Sequence, residues 1–198
     1  MLSFSLLLPL LAAVFAYQGP AKAPAATASI APAPAAAPKA APIPWSATRR
    51  LTLADFQGQP TPKDKLAALT AADIKAGAAC RDYVFSGTVE ATFDPNLSWF
   101  RDPKNSTEAL LRHEQLHFDI TEVYARKLRQ KLTVFKVKAD CNKLQPAFDN
   151  LTRAVYSEWE REESRYDQET NHGLNTAKQG YWERQVQIKL DQLKAYAL

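Results

Sequence analysis

Between Leu110 and Leu128, Leu110, His113, His117, Ile120, Tyr124 and Leu128 recur at intervals of three or four residues. That spacing matches the 3.6-residue turn of an α-helix and predicts one long helix here. Asn105 or Ser106 can cap its start, and Glu108 stands three residues after Asn105, in the capping-box position. A second helix is expected from about Leu144 to Asn171, where Gly173 can take the left-handed cap conformation, and a third from about Thr176 to Tyr196. Upstream the period shortens to two. Leu51 and Leu53 alternate with polar neighbours in RRLTLADFQG (49–58), which predicts a short strand turning at Gly58. CRDYVFSGTVEATFD (80–94) alternates partially through Tyr83, Phe85, Val89, Ala91 and Phe93. It predicts a strand or hairpin, bent at Ser86-Gly87 and closed by a turn at Asp94-Pro95-Asn96. The expected fold is α+β: a small antiparallel sheet at the N-terminal side packed against three long helices.

The first 44 residues follow neither period. MLSFSLLLPLLAAVFA has an apolar stretch broken by Pro9, shorter than the ~20 residues that span a bilayer. Val14 and Ala16 suit a signal-peptidase site before Tyr17, so residues 1–16 read as a signal peptide of an exported protein, periplasmic or secreted, with no stable membrane span in its mature form. No cysteine lies near that point to suggest a lipoprotein. Residues 17–44 are nearly all Ala and Pro and read as an extended spacer, because they offer little to bury and the prolines break helices. The folded domain is expected over 45–198.

The net charge of +4 is mild. ARKLRQKL (125–132) is basic, but acidic residues alternate nearby and no aromatics interleave, so it reads as a solvated helix face and not a nucleic-acid surface. The chain has two cysteines, Cys80 and Cys141. In an oxidising compartment they are expected to form one structural disulfide.

The chain has only three histidines, and two of them flank Glu114 in HEQLH (113–117). On a helix, positions i and i+4 share a face, so His113 and His117 can both direct a ring nitrogen at one Zn2+ ion. Glu114 then lies beside the ion, placed to take a proton from water acidified by the metal and pass it to a leaving amine. Leu110, Leu111, Leu116 and Ile120 make the stretch apolar, and burying two histidines without a partner would be costly. The third ligand is expected from YDQETNHG (166–173): His172, with Glu169 as its supporting carboxylate or as the ligand itself. Asp119 is a candidate to orient a ligand imidazole, and Tyr166 and Tyr181 are candidates to donate to an oxyanion. Trp99, Trp159 and Trp182 read as core residues. The longer HExxHxxGxxH pattern is absent, since Ile120 and Thr121 follow in place of its glycine segment.

From Trp45 onward the chain resembles a bacterial family of secreted zinc-dependent proteases formerly catalogued as a domain of unknown function. The matching features are LTLADFQG, Ser98-Trp99, HEQLHFDI with Tyr124, and YDQETNHG followed by Gln179 and Trp182. The resemblance implies His113, Glu114 and His117 as a catalytic core and a role for His172. The expected function is therefore an exported zinc metallohydrolase, foremost a peptidase acting on protein or peptide substrates. A non-catalytic envelope module with a structural zinc, or an amidase acting on cell-wall material, are the alternatives.

Overall fold

The computed structural model describes residues 39–82, 84–135 and 141–198, without the side chains of Cys141 and Asn142. The expected signal peptide and most of the spacer lie outside the described residues. So does the side chain of Cys141, one half of the expected disulfide.

Five short or medium strands precede three helices: β1 (Ile43–Pro44), β2 (Ala68–Leu69), β3 (Ala72–Arg81), β4 (Val84–Phe93), β5 (Trp99–Phe100), α1 (Glu108–Thr133), α2 (Cys141–Thr170) and α3 (Thr176–Gln192). β3 and β4 pair antiparallel along their whole length, from Ala72↔Phe93 to Arg81↔Val84, and β1 joins the other edge of β4. β2 and β5 form a separate two-stranded ribbon. The architecture is α+β. Ile74, Val89, Ala91 and Phe93 turn inward from the sheet. They form one core with Phe118, Val123 and Leu128 of α1, Val155 and Tyr166 of α2, and Trp182 and Val186 of α3.

Several elements differ from expectation. The hairpin reverses next to Asp82, which has a φ of 51°, and not at Ser86-Gly87. Ser86 and Gly87 sit inside the ladder, opposite Ala79 and Ala78. A Cβ on Gly87 would lie 3.1 Å from Leu132 Cδ1, so this glycine marks the close approach of α1 to the strand. β3 went unanticipated because ADIKAGAACR offers few β-branched or aromatic residues; its partner strand supplies the order. Residues 49–58 form no strand. Leu53–Asp55 make a turn of 3-10 helix, locked by Asp55 Oδ2, which accepts from the Thr52 N–H at 2.8 Å and its hydroxyl at 3.0 Å. Gly58 meets the 95–98 turn, where a Cβ would come within 2.8 Å of the Asn96 carbonyl oxygen.

The cap of α1 is Thr107, whose hydroxyl accepts from Leu110 N–H at 3.2 Å. Asn105 and Ser106 are instead tied to Asp102 by bonds of 2.7 Å each. α3 stops at Gln192 and gives way to a 3-10 turn over Lys194–Tyr196. Ile43 and Pro44, at the end of the expected spacer, already pair with β4. The basic run is less solvated than expected. Arg126 and Arg129 both reach the buried Glu122 and also bond backbone carbonyls of Leu190, Val89 and Tyr196. Among the described residues no helix is long and apolar enough to cross a membrane.

Candidate metal centre

His113 and His117 lie in the second and third turns of α1, on the face turned toward α2. α2 answers with a pair at the same spacing, Glu163 and Asp167. Three atoms converge between the helices. His113 Nε2 and His117 Nε2 are 3.3 Å apart, and Asp167 Oδ1 lies 3.2 Å from the first and 3.1 Å from the second. A tetrahedral zinc with ligands at roughly 2.0–2.1 Å holds its ligand atoms about 3.3 Å from one another, so the triangle has the size of one face of such a site.

The outer nitrogens show which proton each ring carries. His117 Nδ1 bonds Glu163 Oε2, a carboxylate that can only accept, while Trp159 Nε1 donates to Glu163 Oε1 at 2.8 Å. His113 Nδ1 faces Gln179 Oε1 at 3.3 Å. With both protons at Nδ1, each neutral ring presents a bare lone pair at Nε2, and both face a carboxylate oxygen. Three acceptors this close repel unless something positive lies between them. The donor set, two imidazoles and one carboxylate, suits Zn2+.

In the metal-free chain a proton takes that part. Burial opposes a charged His117, but Glu163 and then Asp167 outweigh it and carry its pKa well above the ordinary value. Burial would likewise raise Asp167, yet the imidazoles of His113 and His117 packed against its Oδ1 hold its carboxyl well below the ordinary value. Glu114 behaves oppositely. Burial raises its pKa, against the pull of His117 and of the Thr70 hydroxyl, which donates to Glu114 Oε2 at 2.7 Å.

A pocket of about 250 Å³ opens over these groups. Its walls are Leu66, Leu69 and Leu110 with Trp159, so a polar floor lies beneath apolar sides.

A family model described as "Bacterial protein of unknown function (DUF922)" matches residues 56–173. The chain belongs to this family. The matched segment takes in Thr70, His113, Glu114, His117, Glu163 and Asp167 and ends at Gly173, while Gln179 lies beyond it. The family's description assigns no activity. No curated protein and no solved structure matches the chain.

Within this family member the other expected site residues are placed as follows. His172 lines the pocket, and its Nδ1 is 3.4 Å from Asp167 Oδ1, but its side chain is 55% exposed and it stands outside the converging trio. Asn171, His172 and Gly173 all have positive φ, at 49°, 50° and 80°, and this left-handed run turns the His172 ring to the rim. Gly173 supports His113 instead: a Cβ there would sit 2.9 Å from the imidazole Cγ. Glu169 faces away from the centre and accepts from Trp182 Nε1 at 3.1 Å. Asp119 orients no imidazole. It accepts from Trp45 Nε1 at 2.8 Å, Gln115 Nε2 at 2.9 Å and Arg50 at 2.9 Å, fastening the segment that follows β1 onto α1.

Tyr166 is fully buried and pushed up in pKa by that burial. Its hydroxyl donates to Gln179 Oε1 at 2.8 Å while its ring stacks on His113, so it braces the site from below and does not line the pocket. Tyr181 is 47% exposed, beside Lys178, and does not line the pocket. Sequence reasoning passed over Asp167 and Glu163. Their signal was present: Trp159, Glu163 and Asp167 repeat every four residues along α2, mirroring the histidine spacing of α1.

Proposed function

We propose that this protein is an exported zinc-dependent hydrolase, foremost a peptidase, with His113, His117 and Asp167 holding the metal. The observation that carries the reading is the convergence of three bare acceptor atoms at zinc spacing, beside a buried glutamate and beneath an open pocket. A bound zinc would supply Lewis acidity, polarising a carbonyl and acidifying water. Glu114 takes a proton from attacking water and delivers it to the leaving amine, with Thr70 fixing one of its two oxygens. The apolar walls exclude bulk water from that exchange and receive substrate side chains.

A purely structural zinc calls for four protein ligands. Among the described residues three groups converge, which favours the catalytic reading over the envelope module. Purified protein should contain one equivalent of zinc and cleave members of a peptide library. Glu114→Gln should keep the metal and lose hydrolysis. Asp167→Ala should weaken zinc binding more than His172→Ala does. The reverse ranking would restore His172 as the third ligand, and a metal-free wild-type protein would end the reading.

A further inference from the structure

We infer that Gln179, on α3 and outside the family-matched segment, is the positioning residue that sets the tautomer of His113 and so makes its Nε2 a metal ligand. The inference rests on the metal-centre reading above. The orientation of the Gln179 amide is settled by its neighbours. Its Nε2 donates to Glu183 Oε1 at 3.1 Å, and Glu183 lies 3.7 Å from Arg112. Its Oε1 receives the Tyr166 hydroxyl at 2.8 Å and faces His113 Nδ1 at 3.3 Å. Flipping the amide would set its oxygen against the Glu183 carboxylate, acceptor against acceptor. The oxygen therefore stays toward His113, whose Nδ1 must carry the proton, and the lone pair of the ring is left at Nε2.

The chain Arg112–Glu183–Gln179–His113 starts and ends on adjacent residues of α1 and passes through α3. It also makes the two histidines unequal. His117 is backed by the carboxylate of Glu163, His113 by a neutral amide. His113 is 2% exposed, so no water can stand in for the amide oxygen. Without it, the ring gains by moving its proton to Nε2, where Asp167 Oδ1 accepts, and the metal position is then blocked by that proton.

The test uses the whole chain in wild-type, Gln179→Leu and Gln179→Glu/Glu183→Gln forms, all shown folded by circular dichroism. Nitrogen-15 NMR of the metal-free wild type should report a protonated Nδ1 on His113, and Gln179→Leu should shift the proton to Nε2. Zinc affinity, read by chelator competition, should fall about 10- to 100-fold in Gln179→Leu and recover in the swapped pair Gln179→Glu/Glu183→Gln, which restores an acceptor toward His113 and keeps one amide donor between positions 179 and 183. A His113 protonated at Nε2 in the wild type, or a Gln179→Leu protein binding zinc within threefold of wild type, would overturn the inference. A wild type that binds no zinc would sink the metal reading alone, since the NMR tautomer is read without metal.

Discussion

Thr70 leaves the β2–β5 ribbon at the point where its hydroxyl meets Glu114 Oε2 at 2.7 Å. In a buried site that bond fixes which carboxylate oxygen is free for proton transfer. Thr70→Val removes the donor with little change in shape, and one lost hydrogen bond of about 1 kcal/mol should lower kcat roughly fivefold. Zinc content should stay at the wild-type level, which separates this effect from loss of a ligand. Gly173 makes a second residue-scale case. Its φ of +80° disfavours any side chain, and an added Cβ would press on the His113 ring at 2.9 Å. Gly173→Ala should cost ~1–2 kcal/mol from the backbone alone. It should also weaken zinc binding, because His113 must shift; a thermal melt together with chelator competition checks both effects. At this scale HEQLH was legible because both histidines and the glutamate lie within five consecutive residues of one helix, with the histidines on one face. Asp167 was not, since a carboxylate among many on a charged helix declares itself only when another helix lies across it.

Helices were easier to foresee than strands, and the reason is physical. α1, α2 and α3 each carry their own apolar stripe, whereas β3 is Ala- and Gly-rich and owes its strand form to a ladder with β4. The 49–58 segment shows the converse. Leu51 and Leu53 suggested alternation, yet Thr52 and Asp55 offered a local capping arrangement that wins over two apolar residues with no strand beside them. The basic run on α1 was misjudged for a related reason: a sequence does not show that Glu122 is buried 3% exposed beneath two arginines. Glu122→Ala would leave Arg126 and Arg129 facing each other without a counter-charge. It should destabilise the fold by about 3–5 kcal/mol, checked by urea unfolding. A change below 1 kcal/mol would mean the two arginines find other acceptors.

For the molecule as a whole, the segment from Trp45 to Leu51 and the candidate metal centre grip the same helix from different sides. Trp45, Arg50 and Leu51 hold Asp119 and Gln115, while α2 and α3 hold His117 and His113. α1 and α2 each offer the centre a pair four residues apart, His113 with His117 and Glu163 with Asp167, and α3 backs it with Gln179, which Glu183 holds one turn on. The partners are distant along the chain, from 46 residues between His117 and Glu163 to 66 between His113 and Gln179. Closing such loops is entropically costly, so this arrangement has consequences in time as well as in space. The hairpin and α1 can condense early from nearer contacts, while the α1 and α2 pairs meet only when α2 lies across α1, and Gln179 backs His113 only once α3 has docked. On the proposed reading, zinc would find His113, His117 and Asp167 together, with Gln179 behind His113, only after the folding barrier has been crossed. In stopped-flow experiments, added zinc should slow unfolding in proportion to its saturation and leave the refolding rate unchanged. Refolding that accelerates with zinc would mean instead that the metal gathers its ligands in the unfolded chain and helps to nucleate the fold.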